Sequence, residues 1–299
     1  MIIALTGATG FVGRAVLDAA SARGHVVRAL ARRPQPPRGG VTWIEGRLEE
    51  EGSLVQLATG ADAVLHVAGV VNGTTTDFIR GNVDGTRTML AAAAAMHVHR
   101  FVHVSSLAAR EPQLSDYGHS KDRAESEVQA ADLDWTIVRP PGVYGPGDLE
   151  MRDVFRMAKA GLVLLPPAGR VSLIHVADLA RLLVALVERP GAHETYEPDD
   201  GVASGHTQKD FAALVGSAVG RRPLALSVPA AILRAAARAD VAIRGGRAKL
   251  TPDRASYLSH PDWTVDPAKR PPADLWTPQI ATPKGLADTA AWYRAEGLL

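Results

Sequence analysis

The stretch Ala4-Leu5-Thr6-Gly7-Ala8-Thr9-Gly10-Phe11-Val12-Gly13 constrains the fold more than any other. An apolar run from Met1 leads into it, and Arg14-Ala15-Val16-Leu17-Asp18-Ala19-Ala20 continues it with helical character. The pattern predicts strand, tight turn and helix. Gly7 lets the chain turn sharply off the strand, Gly10 places no Cβ before an approaching group, and Gly13 lets the helix pack closely on the sheet. The helix then begins with free N–H groups and its positive dipole end facing the turn, the arrangement that receives a pyrophosphate. The turn from Gly7 to Gly13, with Thr9, Phe11 and Val12 in it, is the expected dinucleotide cradle.

A chain of 299 residues can bury a large core in one or two domains, and 46% apolar and 22% charged residues are ordinary for a globular protein. A net charge of +1, from 33 Lys+Arg against 32 Asp+Glu, supplies no electrostatic argument for nucleic acid or an anionic membrane. The absence of cysteine excludes disulfides, thiolate metal sites and a cysteine nucleophile, and fits a reducing compartment. Residues 1–20 lack the charged start of a signal peptide, and no apolar run is long enough to cross a bilayer. The expectation is a cytoplasmic protein with a small-molecule substrate and no metal, nucleic-acid or membrane partner.

Val26–Ala31 reads as a second strand ending at Arg32-Arg33-Pro34. This point lies 19 residues beyond Gly13, where an NAD site places an acidic residue on the ribose 2′-hydroxyl. Two arginines there suit a 2′-phosphate instead, because a guanidinium grips phosphate in a bidentate fork. NADP is the expected cofactor, with NAD possible, and Arg32, directly after the strand, is favoured over Arg33. Val41–Glu45 is a third strand and Leu54–Ala58 a short helix. Asp62–Gly69 is a fourth strand, nearly continuous in its apolar run, with Val67, Ala68 and Gly69 at its end and His66 read as a satisfied core residue. Asn82 opens an Ala-rich helix through Ala95, and Arg100–Val104 is a fifth strand running into Ser105-Ser106. This alternation predicts an α/β Rossmann fold, a doubly wound parallel sheet with its ligands at the carboxyl ends of the strands.

Tyr117 and Lys121 are four apart and share one face of the helix that follows. A tyrosine of ordinary pKa, about 10, is a poor acid-base catalyst at neutral pH, and a neighbouring ammonium favours the phenolate. Ser106 can donate a hydrogen bond to a carbonyl oxygen, and Lys121 can reach the ribose hydroxyls.

Thr6-Gly7-Ala8-Thr9-Gly10-Phe11-Val12-Gly13, Val104-Ser105-Ser106, Tyr117-Gly118-His119-Ser120-Lys121 and Arg139–Gly147 together resemble the extended short-chain dehydrogenase/reductases, which include the NAD-dependent epimerase/dehydratase group. Ser172–Leu179 matches the family's later strand-helix junction, and Ala291-Trp292-Tyr293-Arg294 is similar to the closing helix of its steroid-dehydrogenase-like and dihydroflavonol-reductase-like branches. The resemblance implies a Ser-Tyr-Lys triad, here Ser106, Tyr117 and Lys121, with Ser105 as alternate serine. It further implies Pro140, Gly142 and Val143 along the nicotinamide, Val104 and Asn82 near the cofactor, and a homodimer.

Two departures stand out. Arg47-Leu48 replaces the family's Asp-Leu beside the adenine, so Arg47 is expected to stack on adenine or add positive charge near a 2′-phosphate. Val171–Val176 stands where sugar-nucleotide epimerases carry Arg-Asp-Phe-Ile-His-Val, with Arg170 one place off. The expected reaction is therefore hydride transfer between NADP(H) and a small-to-medium apolar carbonyl/alcohol pair. A nucleotide-sugar epimerase or dehydratase with retained NAD is the alternative, and a non-catalytic nucleotide-binding scaffold the third.

Residues 1–148 and 171–190 are assigned to the dinucleotide domain, and 149–170 with 191–299 to a smaller, mostly helical substrate region. There, Leu162–Pro167 reads as pocket lining or core, Asp210–Val219 and Pro229–Ile243 as helices, and Arg244–Arg247 as a connector. The apolar face of the second helix (Ile232, Ala236, Val241) is expected to pack over the pocket rather than on a membrane.

Overall fold

The apolar runs near the N-terminus form buried parallel strands in the computed structural model, which describes residues 1–191, 193–245, 248 and 250–299. Gly246 and Arg247 of the expected connector lie outside the described residues. The chain divides into two compact units: Met1–Pro140 with Val176–Pro198 and Ala268–Thr277, and Pro141–His175 with Asp199–Pro267 and Pro278–Leu299.

In the first unit the strands are β1 (Ile2–Thr6), β2 (Val26–Ala31), β3 (Val41–Glu45), β4 (Ala63–His66), β5 (Arg100–Val104) and β6 (Asp134–Val138). With the edge strand Glu194–Tyr196 they make one seven-stranded sheet, ordered Glu194–Tyr196, β6, β5, β4, β1, β2, β3, and every pairing in it is parallel. The order reverses at β1, which pairs with β2 on one side and β4 on the other, so the loops after β1 and β4 open at the switch point where such sheets hold ligands. The register sets Thr6 beside His66, and His66 beside His103. Strands β4 and β5 are buried along their whole length because both faces of the sheet are covered.

The helices are α1 (Phe11–Ala22), α2 (Glu51–Ala58), α3 (Thr75–Phe78), α4 (Gly85–Ala95), α5 (Asp116–Ala130) and Val176–Val187. One face of the sheet buries Leu54, Leu57, Met89, Phe101 and Val128. The expected helix from Asn82 to Ala95 is present, α-helical from Gly85 and π-helical before it. Asn82 lies in a π-helical segment, Ile79–Asp84, that joins α3 to α4. Such wide turns recur at functional sites.

Among the described residues the second unit holds the helices Arg152–Ala160, Gln208–Ala218, Ala230–Arg244, Pro252–Ser259 and Thr282–Ala295, and three small sheets. Leu162–Leu165 is a strand that alternates exposed and buried, paired with Leu224–Ser227. Half of the apolar run therefore faces out, and the run is neither wholly core nor wholly lining. Tyr144, Phe155, Phe211, Leu286 and Tyr293 form this unit's core.

Candidate active site

The turn after β1 is built as its glycines demand. Gly7 has φ +73°, and a Cβ there would lie 2.7 Å from the backbone N of Ala68. A Cβ on Gly13 would lie 2.0 Å from the Gly7 carbonyl oxygen, so only glycine lets α1 start this close to β1. Gly10 is exposed and caps α1 with no side-chain hydrogen bond; its N–H donates back to Gly7 O at 3.0 Å. The first N–H groups of α1, from Phe11 and Val12 onward, are thus left to an incoming anion. Thr9 and Gly10 line the open side, and Arg14 Nε donates to Thr9 O at 3.0 Å, which steadies the loop. An uncapped helix start and a cradle that any Cβ would fill both fit a dinucleotide pyrophosphate.

Arg32 and Arg33 are exposed at the end of β2, and among the described residues neither guanidinium has a partner. Neighbouring arginines are committed: Arg28 donates to Leu57 O at 3.0 Å and Arg38 pairs with Asp18 at 2.7 Å. Arg47 is exposed and lies 4.0 Å from Glu50, while Leu48 packs inward against Gly85 of α4.

At the ends of β4 and β5, Ala68 N donates to Thr6 Oγ1 at 3.1 Å. Asn82 ties the loop after β4 to α5. Its Oδ1 accepts from Val70 N at 2.6 Å, and its Nδ2 donates to Val70 O at 3.0 Å and to Ser120 Oγ at 2.8 Å. The amide is fully spent on protein groups, so Asn82 shapes the loop. Lys121 is buried, and its Nζ donates to Val104 O at 2.8 Å. A Cβ on Gly69 would lie 3.7 Å from that Nζ, which places the ammonium at the cradle side of the β4 loop.

Ser106 caps the following 3-10 turn, accepting from Ala108 N at 3.2 Å, and its hydroxyl is near enough to the Tyr117 phenol to draw the phenol's pKa down. The Tyr117 ring tilts against Phe78, with centroids 5.9 Å apart. Ser105 is turned away: its hydroxyl bonds the Glu125 carboxylate, and its N–H donates to Val138 O at 2.7 Å. Of the two serines, Ser105 is committed to Glu125, and Ser106 is the one near the tyrosine. Burial pushes the Tyr117 phenol above its ordinary pKa, opposed by the Ser106 hydroxyl. The expected lowering by Lys121 is thus not what governs the phenol here. Burial lowers Lys121 itself to about 8, with the Glu125 carboxylate opposing.

Beneath this cluster His66 is held by Thr6 Oγ1 at 2.9 Å and Thr86 Oγ1 at 3.1 Å, which bears out the core reading. It stacks on His103 with centroids 5.5 Å apart. Burial, and then the Lys121 charge, lowers both imidazoles, His66 to about 3, so both are neutral at pH 7.

Sequence reasoning missed a buried ionic chain at the ends of β5 and β6. Arg139 clamps Glu125 through Nε at 2.9 Å and a terminal nitrogen at 2.6 Å, and approaches Glu197 at 3.4 Å. Arg110 meets Glu197 at 3.1 Å. Glu125 and Glu197 are almost wholly buried. Pro140, next to Arg139, accepts from Leu107 N at 3.1 Å and so fixes the turn that carries Ser106. Gly142 and Val143 belong to the second unit, in the strand Gly142–Tyr144 paired with Leu173–His175.

A doubly wound parallel sheet with a glycine cradle at its switch point defines a nucleotide-binding Rossmann protein. The NAD(P)H-binding family matches residues 7–190. The chain is 38% identical over 308 residues to a ceramide reductase of Caulobacter vibrioides (strain NA1000 / CB15N), covering 100% of this chain and 96% of that protein. It is 32% identical over 228 residues to a 4-hydroxy-2-methyl-3-oxo-4-farnesyl-3,4-dihydroquinoline-1-oxide ketoreductase of Stigmatella aurantiaca, covering 66% and 67%. The crystal structure of gox2253 superposes with a TM-score of 0.80 at 23% identity, over 100% of this chain and 99% of that one, and shares the fold. The chain belongs to the NAD(P)H-binding family, within the extended short-chain dehydrogenase/reductases, and is an NAD(P)-dependent oxidoreductase. Among the described residues no helix is long and apolar enough to cross a membrane, and no cluster of three or more His, Asp or Glu could hold a metal ion.

Proposed function

We propose that this chain reduces a ketone borne on a long apolar molecule, using NADPH and the side chains of Ser106, Tyr117 and Lys121. The observation that carries the reading is the buried Lys121 ammonium, its Nζ at the Val104 carbonyl beside the β4 loop, with Tyr117 one turn before it on α5 and the Ser106 hydroxyl near the phenol. When bound, the dinucleotide supplies the hydride. Ser106 and Tyr117 donate hydrogen bonds to the ketone oxygen and orient it. As the carbon is reduced, Tyr117 gives its proton to that oxygen. Lys121, as an ammonium, stabilises the phenolate that follows and holds the ribose hydroxyls. A phenol kept protonated by burial suits the acid role.

Arg32 and Arg33, both without partners among the described residues, support a 2′-phosphate and hence NADPH over NADH. Gly7, Gly10 and Gly13 receive the pyrophosphate. The first unit is assigned to the cofactor and the second to substrate recognition. The long apolar substrate rests on the two relatives, both named for reducing molecules that carry extended hydrocarbon chains.

The test is Tyr117→Phe, assayed by NADPH oxidation with a long-chain 3-ketone. Turnover should fall by about a thousandfold or more, within the range of general acid catalysis, with NADPH affinity within about twofold of wild type. Wild-type turnover in that variant would overturn the mechanism. Stoichiometric NAD released on denaturing the purified protein would overturn the exchanging-reductase reading in favour of retained-cofactor chemistry.

A further inference from the structure

We propose that the second unit carries a peripheral docking surface for an anionic lipid bilayer, formed by the outer face of the Leu162–Leu165/Leu224–Ser227 sheet and the helix Ala230–Arg244 that leaves it. This stands independently of the proposed reaction. The parallel register sets Leu224 beside Leu162 and Leu226 beside Leu164, and all four leucines are exposed, Leu224 to 61%. Side chains paired in this way share one face of the sheet, so the leucines form one apolar surface.

The chain passes from Ser227 through Val228, whose N–H donates to Leu165 O at 2.8 Å, straight into the helix. That helix is expected to pack over a pocket, but of its fifteen residues only Ala237 is buried. Ile232, Ala236, Ala239 and Ile243 recur at helical spacing down one exposed side, and Ile243 is 81% exposed. Val241 falls on another side, half a turn from Ile232. A helix with an open isoleucine stripe and basic residues elsewhere on its surface is the form that lies in a membrane interface rather than crossing it.

Charge selects the occupant. Residues 159–165 and 221–245 carry six basic side chains and one acidic one, in a chain whose net charge is only +1. Arg244 is paired with Asp240 at 3.2 Å, whereas Lys159, Arg221, Arg222, Arg234 and Arg238 have no side-chain partner among the described residues. Arg221 and Arg222 also line an open recess of about 600 Å³ with Ser217, immediately before Leu224. A second copy docking face to face would set like charges together. An anionic headgroup layer satisfies the arginines while its acyl region takes the leucines and isoleucines.

The experiment is co-sedimentation of the full chain with vesicles of phosphatidylcholine alone, or with about one part in three phosphatidylglycerol. Wild-type protein should bind the mixed vesicles, release at high salt, and bind pure phosphatidylcholine about tenfold less. Ile232→Glu/Ile243→Glu and Leu224→Glu/Leu226→Glu should each lower binding by about tenfold or more, and Arg234→Gln/Arg238→Gln should weaken the salt dependence. All three variants should keep wild-type NADPH affinity, measured by fluorescence, which separates this surface from the cofactor site. Folded, NADPH-binding protein that stays in the supernatant with mixed vesicles at low salt would overturn the proposal. So would a concentration-dependent dimer abolished by the same substitutions, or an acidic protein bound in place of vesicles.

Discussion

Gly10 and Gly13, three residues apart in one turn, should fail in opposite ways when each gains a methyl group. At Gly13 the new Cβ would sit 2.0 Å from the Gly7 carbonyl oxygen and 2.7 Å from its carbon, both backbone atoms that cannot swing aside. The strand–helix junction must open by about 1 Å, and overpacking of this kind costs about 1–3 kcal/mol. Gly13→Ala should therefore lose several degrees of Tm, at about 2–4 °C per kcal/mol for a chain of this size, and bind NADPH weakly. At Gly10 the backbone is extended, with φ −78° and ψ 175°, a conformation open to alanine, and the one close neighbour of a Cβ is Gly7 O at 3.2 Å. Gly10→Ala should stay within about 1 kcal/mol of wild-type stability, yet its methyl group occupies the approach to the free N–H groups of α1. Losing one or two hydrogen bonds to a charged phosphate, at about 1.5–3 kcal/mol each, weakens NADPH by about tenfold to several hundredfold. Thermal unfolding without cofactor, and fluorescence titration with NADPH, give the two readouts. Wild-type affinity in Gly10→Ala, or wild-type stability in Gly13→Ala, would refute the cradle argument.

Arg32→Ala should reduce the preference for NADPH over NADH by about tenfold, or 1.4 kcal/mol, as measured by paired titrations; an unchanged ratio would remove Arg32 from the 2′-phosphate. The Lys121 pKa near 8 leaves the ammonium intact below that pH and neutralises it above. NADPH affinity should accordingly be constant from pH 6 to 7 and fall as pH rises through about 8, and Lys121→Arg, charged throughout, should show no such fall in the same titration. Glu125→Leu should strand the Arg139 guanidinium, leaving it, among the described residues, only the Glu197 contact at 3.4 Å. Breaking one side of a buried ion pair costs about 3–5 kcal/mol, so a loss below about 1 kcal/mol in urea unfolding would show that the pair contributes little.

What could be read in advance follows from how locally each feature is encoded. The cradle is legible because Gly7, Gly10 and Gly13 act within one strand-turn-helix, and the Ser106–Tyr117–Lys121 cluster because its members lie on consecutive elements with fixed helical spacing. The ionic chain was not legible. Arg139 and Glu125 are 14 residues apart, Arg139 and Glu197 58, and Arg110 and Glu197 87, and only the ordering of the parallel sheet brings them together. The edge strand Glu194–Tyr196 was missed for a related reason: three residues carry too little periodicity, and their pairing with β6 comes from tertiary placement. Asn82 shows a subtler limit. Its position near the site follows from family resemblance, but its use does not, since a π turn and two hydrogen bonds to Val70 commit the amide to loop shape. The same distinction applies to the serines. Adjacent in sequence, they alternate across an extended backbone, so Ser105 bonds Glu125 while Ser106 lies on the side of Tyr117. The proposed chemistry is thus encoded in short motifs, while no motif records the long-range ion pairs beneath the serine loop. A variant of Glu125 should consequently lose stability and serine-loop geometry together, whereas a variant of Tyr117 should lose turnover alone.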